Sequence, residues 1–495
     1  MSVRGIAAIA AAAPGRLALL CDDEPTTYGE LDAAANRIAN GLQAVGVRRG
    51  DRVAVRLRNR PEVFAAWYGV TRLGAIMVPI SYRLTPAEVA YMVTDSGAVT
   101  LIHDDGAPPL PAAETFADLR AVLAVDDAVL ADQPAQPPNR DFLGNTVPRM
   151  QYTSGTTGRP KGIRRAAPEP ASETPLWQVA EYWGFSGEDV HLLCGPAYHT
   201  APGAYAEMHL VLGGVVVIMR HFDAESSLEL IERHRVTTSH MVPANFIRIL
   251  ECDWRRHDRS SVRKILHAAA PCPVSVKRAI MEVFPPGSVH EYYGASEGLA
   301  TAISPEEWLG KPGSVGRAYP GVSVEILDDE GRSLPPAKVG TIYIGTRPGR
   351  EFEYHNDPEK TRAAWHGSMF TVGDLGWLDE DGYLFIADRR TDLVISGGVN
   401  IYPAEVEQRL IEHPDVVDAA VFGVPDERMG QRVHAVVELR AGAPRDADAL
   451  IAYAGAVLAD FKLPRAIDFV DELPREPNGK VFKQRLRDDV LARRS

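Results

Sequence analysis

Cysteine is scarce. Four thiols, Cys21, Cys194, Cys252 and Cys272, are scattered through 495 residues with no C-x-x-C pair among them. That removes the usual zinc and dithiol spacings and predicts reduced, mostly buried side chains. Long apolar runs are lacking too. The most extended, Leu210 to Met219, covers about half a bilayer span and contains two glycines, so it predicts a buried strand and no stable membrane insertion. Positive charge is in deficit: 53 Lys and Arg face 66 Asp and Glu, for a net charge of −13. Such a field disfavours nucleic acid and anionic lipid as partners, while a local basic cleft can still hold a small anion. Glycine and proline, at 42 and 37 residues, are too few for collagen-like repetition or global disorder. The N-terminal Ile/Ala stretch to Ala13 is short for a signal peptide and runs straight into an amphipathic pattern, which predicts a first helix and a cytoplasmic protein.

What is present is enough chain for at least two folded units. Strand and helix signals alternate early: Arg52 to Leu57 reads as a strand, Pro61 to Leu73 as a helix opened by proline, and Ala75 to Pro79 as a second buried strand. That rhythm predicts βα units around a mainly parallel sheet. Between Asp104 and Arg149 the composition turns to Ala, Pro, Asp and Gln and predicts a surface excursion. From Ser314 short β-rich segments separated by turns predict a small barrel or sheet. The charged stretch Ala387 to Asp392 marks a boundary, beyond which helices near Ala404 to His413 and Ala447 to Asp460 alternate with strands at Val416 to Val424, Val433 to Leu439 and Ile467 to Val470. The expected fold class is α/β: a large N-terminal domain of α/β sheets with a small β-barrel subdomain over 1–387, a hinge over 388–392, and a small mobile α+β lid over 393–495.

The most informative stretch is Tyr152 to Gly162, Tyr-Thr-Ser-Gly-Thr-Thr-Gly-Arg-Pro-Lys-Gly. Gly155 and Gly158 let backbone N–H groups turn towards an anion, Thr153, Ser154, Thr156 and Thr157 add hydroxyl donors, and Lys161 adds fixed positive charge. The loop is suited to polyphosphate. It is not a Walker A loop, because two residues separate Gly158 from Lys161 and the G-K-[ST] ending is missing.

This loop resembles the signature of the acyl-adenylate-forming superfamily, which includes acyl-CoA synthetases, luciferases of the firefly type and the adenylation domains of peptide synthetases. Further matches follow in that superfamily's order: Pro196 to His199, Tyr292 to Gly298, Thr371 to Gly376, Asp388-Arg389 with Ser396 to Glu405, and Pro474 to Lys480. The resemblance spans essentially the whole chain, and its Gly397, Gly398 and Glu405 region looks like the carboxylate-CoA ligase branch. It implies ATP, Mg²⁺ and CoA as cofactors, a small carboxylic acid as substrate, and a homodimer as the expected assembly. Adenylation requires a carboxylate to attack the α-phosphorus of ATP, so two anions must be neutralised and extra charge stabilised in the transition state. Glu297 supplies a hard oxygen for Mg²⁺, with Thr153 as a second metal contact, and Ser296 beside it can donate to phosphate. Tyr293, with Gly294, offers a flat face for adenine, and the two oxygens of Asp374 can accept from both ribose hydroxyls. By resemblance Arg389 also contacts the ribose, Lys480 is the adenylation lysine that bridges acyl carboxylate and phosphate, and Gly397 and Gly398 let a pantetheine arm pass close to the backbone. His199 is assigned to shaping the acyl pocket, together with Ala197, Gly203, Ala204, Ala268, Ala269, Ala270 and Tyr292, small and aromatic residues that suit a hydrophobic or aromatic acid. Thr391 departs from the Asp or Lys usual at the hinge position.

Competing readings remain. A ligase that hands the acyl group to an amine or to a carrier protein needs the same adenylation residues. No carrier domain follows Ser495, which disfavours a complete peptide-synthetase module. Gly294 to Gly298 also satisfies the G-x-S-x-G pattern of an α/β-hydrolase elbow. That reading leaves the 152–162 loop and Lys480 unexplained, and Leu299 to Pro305 reads as β-rich where a helix should follow. A nucleotide-binding regulator built on an inactive ligase is disfavoured because Lys161, Glu297, Asp374 and Lys480 are all present.

Overall fold

The computed structural model describes residues 5–104, 109–111, 115, 119–138, 149–153, 160–165, 175–346, 351–476 and 479–493. The chain divides into two compact units, Met1–Met241 with Trp254–Ile265 and Pro348–Ala363, and Val242–Asp253 with Leu266–Arg347 and Ala364–Ser495. Both are mixed α/β. Among the described residues no helix is long and apolar enough to cross a membrane.

In the first unit the expected βα rhythm builds two parallel sheets. Strand Arg52–Arg56 lies between Ile76–Pro79 and Ala98–His103, and Ala121–Ala124 extends the sheet, all in parallel. The part of the 104–149 excursion that is described thus contributes a strand. Its neighbour sheet runs Glu24–Thr27, Leu17–Cys21, Val215–Ile218, Val190–Leu193, Thr238–Met241, antiparallel only at the first pairing. Parallel strands are covered on both faces and so read as continuous Val/Leu/Ile runs. Helices Tyr28–Ala44 and Pro86–Ser96 both begin with capping boxes, Thr27 with Glu30 and Thr85 with Glu88, which satisfy first-turn amides reciprocally. A three-stranded antiparallel ribbon, Gln151–Thr153, Lys161–Arg165 and Phe352–Tyr354, completes the unit.

The Leu210 to Met219 run is not one strand, as its composition suggests. Leu210 to Leu212 close the helix Thr200–Leu212, Gly213 caps it at φ 96°, and the strand starts only at Val215. A Cβ on Gly214 would stand 2.7 Å from the Asp189 carbonyl. The two glycines make the helix-to-strand turn that an apolar count overlooks.

The second unit holds the antiparallel meander Val289–Ala295, Gly298–Ile303 and Arg317–Ala318. It also holds a six-stranded antiparallel sheet that includes Gly340–Gly345, Asp374–Leu378 and Leu384–Arg389. Past the latter strand, Val394–Ser396, Val399–Ile401, Val416–Asp426, Gly430–Leu439 and Ile467–Val470 form another sheet. Val416 to Val424 is buried throughout because alternate side chains serve two cores. Ala419 and Val421 pack with Val406, Leu410 and Leu450, while Ala420, Phe422 and Val424 pack with Leu486 and Val490. The helix expected to reach Asp460 stops at Gly455, and a short 3₁₀ turn, Asp460–Lys462, follows.

Three histidines are sealed inside the first unit. The His191 and His209 rings stack at 4.3 Å, and the Thr238 hydroxyl lies 3.0 Å from a nitrogen of each. His240 stacks on Tyr205. Burial holds all three neutral, pushing His209 down to about 4 and His240 to about 3, with His191 also well below the ordinary imidazole range. In the unfolded chain these rings take up protons near 6.5, so below that pH the unfolded state binds more protons and stability falls. The melting temperature is therefore expected to be level from about pH 8 to about pH 7 and to drop progressively below about pH 6, with a shallower drop in His209→Gln. An unchanged melting temperature down to about pH 5 would show that the rings are protonated in the fold.

Candidate functional site

The second unit gathers Tyr293, Asp374, Arg389 and Lys480. Asp374 and Arg389 are register partners across two antiparallel strands, so the ladder itself sets them side by side. The buried Asp374 carboxylate accepts from the Tyr293 hydroxyl at 2.6 Å and from Arg389 Nε at 3.2 Å. Gly373, at φ 86°, makes the bend that leads into Asp374, and its carbonyl accepts from Arg390 N. Lys480 follows a tight turn in which Gly479 N donates to the Glu476 carbonyl and Glu476 N to the Lys480 carbonyl. Gly479 has φ 86°, and a Cβ there would meet the Val242 side chain at 2.8 Å. Glycine is thus required both by the turn and by the approach. Burial, and then the Arg389 charge, pull the Lys480 amine down to about 8, against the pull of Glu476, Asp374 and Glu297. Burial pushes the Tyr293 phenol up, so it remains a hydrogen-bond donor to Asp374.

Ser296 and Glu297 form the two-residue turn of the hairpin in which Ala295 pairs with Gly298. Glu297 is 7% exposed. A Cβ on Gly294 would lie 2.7 Å from the Gly298 carbonyl, and one on Gly298 would lie 2.8 Å from the Phe370 ring. Those glycines serve a tight hairpin between two strands. A nucleophile elbow joins a strand to a helix, so the hydrolase reading has no structural basis. Among the described residues no group of three or more His, Cys, Asp or Glu could hold a metal. A single buried carboxylate such as Glu297 does suit Mg²⁺, which keeps its waters and takes most other ligands from phosphate.

Gly397 and Gly398, at φ 58° and 80°, are the two central residues of the hairpin between Val394–Ser396 and Val399–Ile401. Such turns need positive φ twice. Thr391 is exposed, its hydroxyl 3.3 Å from Asp392 Oδ1. In the same unit Ala268 and Tyr292 are buried and Ala269 sits at φ 79°, a strained value for a residue with a side chain, with Ala270 half-buried next to it.

In the first unit Thr153 pairs with Lys161 across the ribbon, and Lys161 Nζ lies 3.7 Å from Asp357. Ser154, Gly155, Thr156, Thr157 and Gly158 lie outside the described residues. Ala197 is buried, and His199 caps the helix Thr200–Leu212 through its backbone, with Ala204 half-buried in the first turn. A Cβ on Gly203 would stand 2.3 Å from the Ala197 carbonyl and 2.8 Å from the Trp67 ring, so its hydrogen faces protein atoms.

Sequence reading did not give the roles of three contributors. Glu476 faces Lys480 electrostatically, and its only signal was a carboxylate four residues before the lysine. Asp388 accepts from Arg389 N at 2.8 Å and from Ala404 N at 2.9 Å. It thereby caps the helix Pro403–Ile411, whose own N-cap, Tyr402, supplies no side-chain bond. Glu291, just before Tyr292, forms a buried ion pair with Lys277, whose amine lies 4.6 Å from the Trp308 ring centre.

Comparison with known proteins gives a consistent picture. The model of the AMP-binding enzyme family matches residues 6–348, and that of the AMP-binding enzyme C-terminal domain matches residues 405–480. A fatty acid–[acyl-carrier-protein] ligase of Streptomyces coeruleorubidus is 35% identical, over 96% of this chain and 93% of its own. A long-chain-fatty-acid–CoA ligase of Mycobacterium tuberculosis is 33% identical, over 95% and 94%. Among solved structures, o-succinylbenzoate CoA synthetase of Bacillus subtilis in complex with its acyl-adenylate intermediate has a TM-score of 0.84 at 30% identity, covering 98% of this chain and 97% of that one. An amide bond synthetase of Marinactinospora thermotolerans has a TM-score of 0.81 at 27% identity, covering 96% of both chains.

Lys480 is expected to titrate near pH 8 in the free protein, and Arg389→Gln should move its midpoint up by removing a neighbouring cation. Carbon-13 dimethylation of the lysines followed by NMR reads this, with the Lys480 signal assigned by its loss in Lys480→Arg. A midpoint at the ordinary 10.5 in the unmodified site would mean that the amine is fully solvated.

Proposed function

Because the chain belongs to the AMP-binding enzyme family of adenylate-forming enzymes, we propose that it is an ATP-dependent carboxylate-CoA ligase. It activates a hydrophobic or aromatic carboxylic acid as acyl-AMP, transfers the acyl group to CoA, and releases AMP and pyrophosphate. The observation that carries this reading is the convergence on Lys480 of a second cation, Arg389, and of the carboxylates Asp374, Glu297 and Glu476. Two cations placed together suit a site that receives a carboxylate and a triphosphate and stabilises the charge that builds as they react.

Asp374, oriented by Tyr293 and Arg389, takes the ribose hydroxyls, and Tyr293 with Gly294 flanks the base. Lys480 bridges the acyl carboxylate and the α-phosphate. Glu297 is the carboxylate that would hold Mg²⁺, which supplies charge neutralisation on the phosphates when bound. The ribbon that carries Thr153 and Lys161 supplies phosphate-binding donors. Residues 388–392 serve as the hinge of the C-terminal segment and Gly397-Gly398 as the point of close pantetheine approach. In the first unit the acid-facing role goes to Ala197, His199 and Ala204, since Gly203 packs against protein atoms; in the second unit it goes to Ala268 to Ala270 and Tyr292. The enzyme works in the cytoplasm.

Transfer to a carrier protein or an amine is the second reading, favoured by the names of two relatives, the carrier-protein ligase and the amide bond synthetase. Pyrophosphate release with Mg-ATP across a panel of alkyl and aryl acids, with and without CoA, decides between them. The expected outcome is CoA-accelerated release with a thioester product for one acid class, reduced by about 10²–10³ in Lys480→Ala. Release that CoA does not accelerate, with amide formation on adding amines or loading of a carrier protein, would replace CoA by that acceptor. No release with any acid would reject the ligase reading.

A further inference from the structure

The segment Gly195 to His199 leaves the strand Val190–Leu193 at its carboxyl end and turns into the helix Thr200–Leu212, and side-chain amides grip its backbone from two sides. Asn59 is 2% exposed. Its Nδ2 donates to the Gly195 carbonyl at 2.9 Å and to the Met219 carbonyl at 2.9 Å, while its Oδ1 accepts from Ala197 N at 2.8 Å. Both donor hydrogens and the acceptor of one planar group are therefore used on the exits of two neighbouring parallel strands. From the ribbon that carries Thr153, Gln151 Nε2 donates to the Tyr198 carbonyl at 3.0 Å. Within the segment His199 N donates to the Pro196 carbonyl and Gly203 N to the His199 carbonyl. The helix that follows is tied down by the buried ion pair of Glu207 with Arg149, whose guanidinium lies 4.4 Å from the Trp67 ring centre.

Backbone groups of Gly195, Ala197 and Tyr198 thus have their positions dictated by two side chains distant in sequence, and the His199 backbone is held at both its N–H and its carbonyl. An aspartate at 59 would present one acceptor oxygen to two carbonyls where Nδ2 now donates, and a glutamate at 151 would present an acceptor to a third.

We propose that Asn59 and Gln151 are positioning residues that set the acid-binding segment Gly195 to His199, so that they govern affinity for the acid and leave use of ATP largely untouched. This rests on the reading above that Ala197 and His199 face the acid. The test compares Asn59→Asp and Gln151→Glu with the wild type in two assays. In steady-state pyrophosphate release, with whichever acid of the panel the wild type turns over best, KM for the acid should rise about tenfold or more, with kcat within about threefold and KM for ATP within about twofold. In the unliganded proteins, diethyl pyrocarbonate should modify His199 faster relative to the exposed His221, read by peptide mass spectrometry. Unchanged acid KM with unchanged His199 labelling would overturn the proposal, as would parallel loss of kcat and of affinity for both substrates. If Asn59→Asp does not fold, Gln151→Glu decides alone. If the wild type activates no acid, the ligase reading fails, and faster or unchanged His199 labelling still supports or overturns the positioning role.

Discussion

Arg389 and Lys480 are like charges held close enough for the arginine to loosen the lysine's proton, and Asp374, Glu476 and Glu297 share their surroundings and pull the other way. Every local feature around the group serves this balance. The strand register places Asp374 opposite Arg389, the hairpin turn presents Glu297, and the Gly479 turn presents Lys480. A lysine whose proton is loosened by burial and by a neighbouring arginine gains most when an anion arrives beside it.

The segment that carries Lys480 has its own means of staying rigid. The sheet of Val416–Asp426 and Gly430–Leu439 buries both faces, one under the helices Pro403–Ile411 and Ala447–Gly455 and the other under Lys483–Ala492. Asp388 then joins this body to the strand that ends in Arg389, accepting an amide from each side. Lys483 pairs with Glu407 at 2.7 Å close by. Lys480 and Arg389 are in this way referred to a common anchor.

Much of this was legible from residues alone. The helices Pro61–Arg72 and Pro403–Ile411 and the strands Arg52–Arg56 and Ile467–Val470 lie where proline punctuation and β-branched runs put them. Local rules failed where a tertiary contact decided the outcome. Leu210 to Met219 is apolar enough for one strand, yet Gly213 and Gly214 divide it because the chain passes against the Asp189 carbonyl. The pairing of Asp374 with Arg389 is a matter of register, which no spacing of 15 residues reveals. Asn59 draws no reading from the sequence, and Asp388 is matched within a motif without its bonds, since nothing near either in the chain says which distant backbone groups they hold. The motifs named the chemistry, and the hydrogen bonds show what holds its residues in place.

The most direct test of the central claim, that the charge on Lys480 drives acid activation, is the pH dependence of acyl-AMP formation in a single turnover with Mg-ATP and no CoA. With ATP and acid well below saturation, where the rate reports the free enzyme, the account predicts a rate that falls as the pH is raised above about 8, where Lys480 loses its proton, and a fall displaced to higher pH in Lys480→Arg, whose guanidinium stays charged. A rate that is level through this range in the wild type, or that falls identically in both proteins, would contradict it.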